Sequence, residues 1–322
     1  MKKLYWTVTF SGLAEAVSAK GGEEAFASGV NFQLTQAVRR AGAFLETTFV
    51  RGDGTGRLTN VNGTQAAATT VNVDDARPFL PMIGKVLVFL NNTTGLKTAG
   101  PVTLNAASIS GGTITVSSAV SVTDDDGIYV SGEQSESAAP AEITALGLPA
   151  IVNNTGTIYN LSRTTHPSLQ SKVLSASSTS LDESLLRRLR RRLLVETDMG
   201  GSYAGYVMIS NYEQYDRYTE IALPFRRMND QRLELGASQE LTTFEGHPWV
   251  ISHVADPARV YLIGMESIVR GVVRPFAIDP RVNMSWIPGQ DAFTVLFKTY
   301  CENVARHPNQ TAVITTLTVP TY

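Results

Sequence analysis

The sequence has little charge, a single cysteine and no long apolar run. Charged residues make up 17% of its 322 residues, and the formal net charge is −2. A chain with 43% hydrophobic residues and so small a net charge does not have the composition of a disordered protein. The near balance of 27 basic and 29 acidic residues argues against binding nucleic acid through bulk positive charge.

Sites for metals and catalysis are also scarce. Cys301 is the only cysteine, which excludes an intramolecular disulfide framework. No histidine motif lies near it, and no Gly-x-Ser-x-Gly elbow occurs, so we predict that the protein is not an enzyme. The histidines lie far apart and lack metal-ligand spacing, so we predict no metal or cofactor. They are His166, His247, His253 and His307.

The first 19 residues combine a basic start, an apolar stretch and small residues, as secretory signals do. However, polar residues interrupt that stretch, and residues 4–10 alternate between apolar and polar side chains. This period predicts a β-strand. A secreted β-rich adhesin or carbohydrate-binding protein stays open as an alternative. No run of about 18 apolar residues occurs, so we predict no membrane span.

Residues 23–49 are predicted to form one long helix, because they contain no proline and place apolar side chains on one stripe. The stripe contains Phe26, Val30, Leu34, Ala37, Ala41 and Leu45. A glycine-rich structural turn made by Gly52, Asp53, Gly54 and Gly56 should end the helix. A phosphate loop is disfavoured, because this segment follows a helix and lacks the Gly-Lys-Ser/Thr ending.

Residues 57–136 are rich in Thr, Val, Asn and Gly and predict a small all-β module, either a barrel or a sandwich. Short alternating runs separated by turn signals predict strands at 70–73, 86–90, 113–116 and 127–130. Asp124, Asp125 and Asp126 are interpreted as a solvated turn, because three adjacent aspartates cannot all converge on one calcium ion.

Residues 137–322 mix helices and strands, which indicates an α+β class. Ser180 and Glu183 read as a capping box that opens a helix to about Glu196. Its predicted buried stripe is Leu181, Leu185, Leu186, Leu189 and Leu193. Residues 210–213 predict a second, shorter helix opened in the same way. Strands are predicted at 249–254, 260–263, 293–305 and 312–319.

The strongest charge feature is a run of arginines on the first of these helices. It contains Arg187, Arg188, Arg190, Arg191 and Arg192. Such a cluster repels itself unless it is screened or neutralised. One interpretation is a solvated face, with Asp182, Glu183, Glu196 and Asp198 as neighbouring neutralisers. The other is contact with acidic groups of another subunit or with packaged phosphates.

The order of these parts resembles a known family. A long helix ends in GDGTGRL, a β-rich segment closes with GIYVSGE, and GLPAI, RTTHP and a capped helix follow. ARHPN then precedes a final strand. Over about residues 5–319 the sequence resembles the major capsid proteins of tailed double-stranded-DNA phages, which have the Hong Kong 97-type fold.

The resemblance implies an α+β Hong Kong 97-like capsid fold with a long spine helix and an inserted small all-β domain. Residues 1–56 would hold the N-terminal strand and spine helix of a peripheral domain, and residues 57–136 the insertion domain. Residues 137–289 would form the axial domain with its linker. Residues 290–322 would supply the closing strands of the peripheral domain.

The resemblance further implies a function. Copies would self-assemble through pentamers and hexamers into an icosahedral shell that encloses phage double-stranded DNA without reading its sequence. Portal, scaffolding and decoration proteins would be further partners. The protein would be located in the virion capsid, which would be assembled in the host cytoplasm. An encapsulin-like nanocompartment shell is the alternative of the same fold. Relatives usually carry an N-terminal arm and an extended loop ahead of the strand at 4–10, for which this sequence has no counterpart.

Overall fold

The computed structural model describes residues 2–11, 23–131, 144–197, 205–229, 243–278, 285–286 and 292–320. It divides into two compact units. Unit 1 comprises residues 1–145 and 270–302, and unit 2 comprises residues 146–269 and 303–322. Within the described residues, no helix is both long and apolar enough to cross a membrane.

One sheet of unit 1 contains the first strand of the chain. The predicted strand is confirmed as β1 (Lys2–Ser11), which pairs antiparallel with β17 (Ala292–Ala305). Strand β15 (Ile268–Ile278) lies on the path β1-β17-β15, and β16 (Ser285–Trp286) also pairs with β17. Cys301 is buried on β17.

The predicted long helix is confirmed as α1 (Glu23–Arg51), whose 29 residues extend about 43 Å at 1.5 Å per residue. Ala37 and Ala41 of the predicted stripe are buried. The buried side continues through Phe44, whereas Leu45 is only partly buried. The predicted stripe residues 26 and 30 lie outside the described side chains.

The β-rich segment folds into a closed barrel. Its strands are β2 (Arg57–Asn60), β3 (Gln65–Asn72), β4 (Val86–Leu90), β5 (Lys97–Ser108), β6 (Thr113–Val122) and β7 (Gly127–Val130). They run in the order β2-β7-β4-β5-β6-β3, with every neighbour antiparallel. A bridge between Val61 and Val73, just beyond β2 and β3, closes the ring.

One apolar core fills the barrel and continues to α1 and β17. Phe79 and Met82, from a 3₁₀ segment at Arg77–Met82, are fully buried in it. Phe297 of β17 belongs to the same core and stacks on Phe276, with ring centroids 5.2 Å apart. The barrel thus belongs to one compact unit with α1, and the four-part division of the sequence stays a prediction.

Unit 2 is built on a six-stranded mixed sheet. Its strands are β10 (Lys172–Ser175), β11 (Tyr206–Ser210), β12 (Thr243–Phe244), β13 (His247–Ile251), β14 (Val260–Gly264) and β18 (Thr311–Thr315). They run in the order β10-β18-β14-β11-β13-β12. The pairs β10–β18 and β11–β13 are parallel, and the other pairs are antiparallel.

In the described part of unit 2, three helices accompany this sheet: α2 (Leu148–Ile151), α3 (Glu183–Glu196) and α4 (Tyr212–Asn229). The predicted leucine stripe of α3 is buried in the unit 2 core. The prediction that α4 is the shorter helix is wrong, since α4 has 18 residues and α3 has 14. Tyr215 and Tyr218 of α4 pack on the core beside Trp249, which stabilises turns beyond the helix start.

The predicted capping box is also wrong, because it places the N-cap of α3 at Ser180. The N-cap of α3 is Asp182, whose carboxylate accepts hydrogen bonds from the backbone N–H of Glu183 (2.8 Å) and the hydroxyl of Ser184 (2.6 Å). Asp is as good an N-cap as Ser, so Asp182 can cap the helix without the Glu or Gln three residues later that a capping box requires. Ser180 is exposed and lies outside the helix.

Short turns complete unit 2. Strands β8 (Thr157–Ile158) and β9 (Leu161–Ser162) form a hairpin. The two His-Pro sequences open 3₁₀ turns, at Pro167–Leu169 and Pro308–Gln310. Arg163 is 1% exposed, and its guanidinium donates to the carbonyl oxygens of Ala150 (2.7 Å) and Ile151 (3.0 Å).

Candidate functional site

The glycine-rich segment after α1 is a backbone turn in which each glycine has a steric reason. The Gly52 N–H donates to the Thr48 carbonyl (3.0 Å), and a Cβ at Gly52 would lie 2.2 Å from that oxygen. Gly54 and Gly56 have φ values of 92° and 88°, which favour glycine. Asp53 accepts from the Thr55 N–H (2.9 Å) and from the Arg57 guanidinium (3.0 Å), so its carboxylate serves the turn itself.

The aspartate run lies in the turn between β6 and β7. Asp124 accepts from the backbone N–H of Gly63 (2.7 Å), and Asp126 accepts from that of Thr123 (2.8 Å). Across the described parts of the chain, no three His, Cys, Asp or Glu side chains are grouped so that they could hold a metal.

The arginines of α3 divide into paired and unpaired groups. Arg187 pairs with Glu183 (2.7 Å), and Arg192 pairs with Glu196 (2.9 Å). These are the neighbouring acids that the sequence proposes as neutralisers. Asp182 instead caps the helix, and residue 198 lies outside the described residues.

Glu245 is a neutraliser that the sequence analysis missed. Its carboxylate pairs with Arg190 and lies 3.6 Å from Arg187. Glu245 and Gly246 form the two-residue turn between β12 and β13, with φ values of 47° and 85°. Both are left-handed, as a type I′ hairpin requires, and glutamate is an uncommon choice there.

Arg188 and Arg191 remain exposed, and neither forms an ion pair with a residue that the structure describes. A groove of about 450 Å³ runs along this side of α3. Its lining is Arg187, Arg190, Arg191, Leu194, Val195 and Glu245. Val195 is 74% exposed, so this surface combines cations with apolar area.

His247 adds no charge to this surface at neutral pH. The side chain is buried and lies edge-on to Tyr206, with ring centroids 5.7 Å apart. Burial, and then the positive charge of Arg190, hold the pKa of His247 below its usual value. The imidazole is therefore neutral, and the groove keeps the charge of its arginines and Glu245 alone.

One side of the first half of α4 is acidic, although the whole helix has three acidic and three basic residues. Glu213, Asp216 and Glu220 lie three and four residues apart, on neighbouring positions of one side. Glu220 pairs with Arg217 (3.1 Å), while Asp216 is exposed and forms no ion pair with a described residue. Partial burial, and then the charges of Glu213 and Glu220, raise the pKa of Asp216.

No protein-family model matches the sequence, and no curated protein matches it significantly. Solved structures do match. Its structural neighbours include phage capsid proteins and an encapsulin. They agree with the family that the sequence resembles.

Three of these neighbours illustrate the extent of the likeness. The capsid of cyanophage A-1(L) is 14% identical and has a TM-score of 0.41, over 56% of this chain and 62% of that chain. The procapsid of satellite phage P4 is 11% identical, with a TM-score of 0.42 over 99% of this chain and 71% of that one. An encapsulin complex of Synechococcus elongatus is 13% identical, with a TM-score of 0.34 over 55% of this chain and 58% of the encapsulin chain.

The chain thus spans less than two thirds of the cyanophage and encapsulin chains.

Proposed function

We propose that this chain is the major capsid (head) protein of a tailed phage. Copies self-assemble through pentamers and hexamers into an icosahedral shell that encloses double-stranded DNA in the virion, after assembly in the host cytoplasm. The order of sequence parts supports this proposal, and so does the presence of the expected long helix, all-β segment and capped helix as α1, the barrel and α3.

The proposal also assigns roles to these parts. Helix α1 is the spine helix of the peripheral domain, and the barrel is the insertion domain exposed on the shell or bracing neighbours. Unit 2 supplies most of the axial domain. Portal, scaffolding and decoration proteins are its other partners, and its role is structural rather than enzymatic.

Strand β15 is the observation that carries the proposal. It is an 11-residue strand at the end of its sheet, and among the described strands it pairs only with β17. Val272 and Val273 are 50% and 67% exposed. Successive residues of a strand point to opposite faces, so both faces are exposed at these two valines in the single chain, whereas Phe276 further along packs on the core. Proteins protect such edges or use them to bind another chain.

The experiment is to purify the full chain and examine it by analytical sedimentation and negative-stain microscopy over a range of concentrations. We expect closed particles or ring-shaped capsomers. A chain that stays monomeric at high concentration would contradict the proposal. Particles recovered from cells should protect DNA from nuclease, and protein cargo in its place would favour the nanocompartment alternative.

A charged side chain on the exposed edge tests directly whether β15 contacts a neighbouring copy. Val273→Lys should block assembly, because the lysine would have to be buried against the neighbouring copy. Leu161→Lys is the matched control, since Leu161 is 45% exposed on β9 in unit 2. Equal assembly of both variants would remove β15 from the contacts between copies.

A further inference from the structure

Unit 2 presents a basic stripe on α3. We define it by Arg188, Arg191 and Val195, which follow at i, i+3 and i+7 and therefore share one side of the helix. All three side chains are exposed. The stripe borders the groove that also contains Leu194, so its cations lie beside apolar surface.

An acidic stripe lies on α4 of the same unit. We define it by Tyr212, Asp216 and Glu220, which follow at i, i+4 and i+8. All three are exposed, Tyr212 by 53%. The mutual repulsion of its carboxylates, which contributes to the raised pKa of Asp216, would be relieved by a cation from outside the chain.

The charges of the two stripes do not pair with each other within one chain. Neither Arg188, Arg191 nor Asp216 forms an ion pair with any residue in the described ranges. Each stripe is thus a charged surface with an apolar side chain at one end, open to a partner of opposite charge.

We infer that the basic stripe of one copy binds the acidic stripe of a second copy. The inference deepens the proposed function, on which it rests, by naming two surfaces through which subunits meet. A contact between different surfaces of identical chains is heterologous, and it closes into a ring when the rotation between copies allows. Opposite charges on the two stripes fix which surfaces meet.

A second copy fits the basic stripe better than nucleic acid does. Val195 and Leu194 offer apolar area, which a phosphate backbone does not use. Arginine beside apolar surface is typical of protein–protein interfaces.

Charge reversal on each stripe tests the inference. The basic swap, Arg188→Glu with Arg191→Glu, and the acid swap, Asp216→Arg, each place like charges across the contact. Each should raise the protein concentration needed for half-maximal assembly by roughly tenfold or more, because facing like charges are costly at an interface. The readout is light scattering and sedimentation of the full chain.

Mixing the two swapped chains gives the decisive result. In an equimolar mixture, the acidic α3 of one chain meets the basic α4 of the other, and the remaining contact is of wild-type sign. Strict alternation closes only even-numbered rings, so the mixture should recover six-membered rings, which neither variant forms alone, but not five-membered ones. Failure of the mixture to recover, with both variants impaired, would overturn the pairing of these two stripes.

Controls separate this inference from the proposed function. Arg306→Glu and Glu266→Arg reverse charges at other exposed sites of unit 2 and should assemble like wild type. Circular dichroism should show that every variant is folded. If wild type assembles and the swaps match it, the inference fails alone; if wild type never assembles, the proposed function fails. A basic swap that assembles normally but no longer retains duplex DNA would assign the stripe to DNA and overturn the inference.

Discussion

At the scale of single residues, Asp75 is a buried carboxylate of unit 1 that two arginines contact. It pairs with Arg51 at the end of α1 and with Arg77 (3.3 Å), and it accepts the Arg77 backbone N–H (2.9 Å). Burial alone would raise the pKa of Asp75, but Arg51, that backbone hydrogen bond and the charge of Arg77 together hold it below the ordinary value of 3.8. The folded state therefore favours the ionised form.

The lowered pKa of Asp75 predicts how stability depends on pH. Because the unfolded state takes up the proton first, the contribution of Asp75 is complete above about pH 4 and is lost as pH falls through the lower folded-state pKa. Asp75→Asn should lower the free energy of unfolding by about 3 kcal/mol at pH 7, since it removes the negative charge that two part-buried guanidinium groups contact. Urea unfolding at pH 7 and pH 3 should show this difference shrinking in acid.

Asp74 is the matched control, with a shift of opposite sign. Burial, and then the charges of Asp125, Asp124 and Asp75, raise the pKa of Asp74. Asp74→Asn should therefore change the free energy of unfolding by less than about 1 kcal/mol and in the stabilising direction at neutral pH. A loss equal to that of Asp75→Asn would contradict the ion-pair explanation.

At the scale of elements, the N-cap of α3 is a place where the sequence prediction and the structure differ. Asp182→Ala should destabilise the protein by about 1 kcal/mol, because the Glu183 N–H then loses its acceptor. Ser180→Ala, at the residue that the sequence pattern favoured as the cap, should leave stability unchanged. Thermal unfolding of both variants checks this, and a larger effect at Ser180 would restore the capping box.

Elements were predictable where their signal is local. The long helix, its glycine-rich stop and the leucine stripe of α3 follow from period and turn chemistry within a few residues. Strand β5 was missed because Gly100 and Pro101 interrupt its alternation, although it runs from Lys97 to Ser108. Barrel closure through Val61 and Val73 depends on pairings that no local pattern contains.

The candidate site shows the same division between local and distant partners. Arg187 and Arg192 find acids four residues away, which a helical pattern predicts. Glu245 reaches Arg190 from a hairpin 55 residues further along the chain, and only the fold brings them together. The arginine run was thus visible in the sequence, whereas the split between paired and exposed arginines was not.

At the scale of the whole molecule, the nearly neutral chain concentrates opposite charges on two surfaces of unit 2 and apolar area on an edge of unit 1. Net charge therefore says little about how copies meet. An apolar contact at β15 depends weakly on salt or gains strength with it. A contact between the stripes of α3 and α4 weakens as the screening length falls from about 10 Å at 0.1 M salt to about 3 Å at 1 M.

Salt should consequently have opposite effects on wild type and on the charge-swapped chains. Raising NaCl should increase the concentration that wild type needs for assembly, because it screens attraction between the stripes. The same change should help the basic swap, because it screens repulsion between like charges. Light scattering across a salt series measures both trends. Parallel salt responses in the two proteins would mean that the stripes do not face each other and that assembly depends on other surfaces, β15 foremost among them.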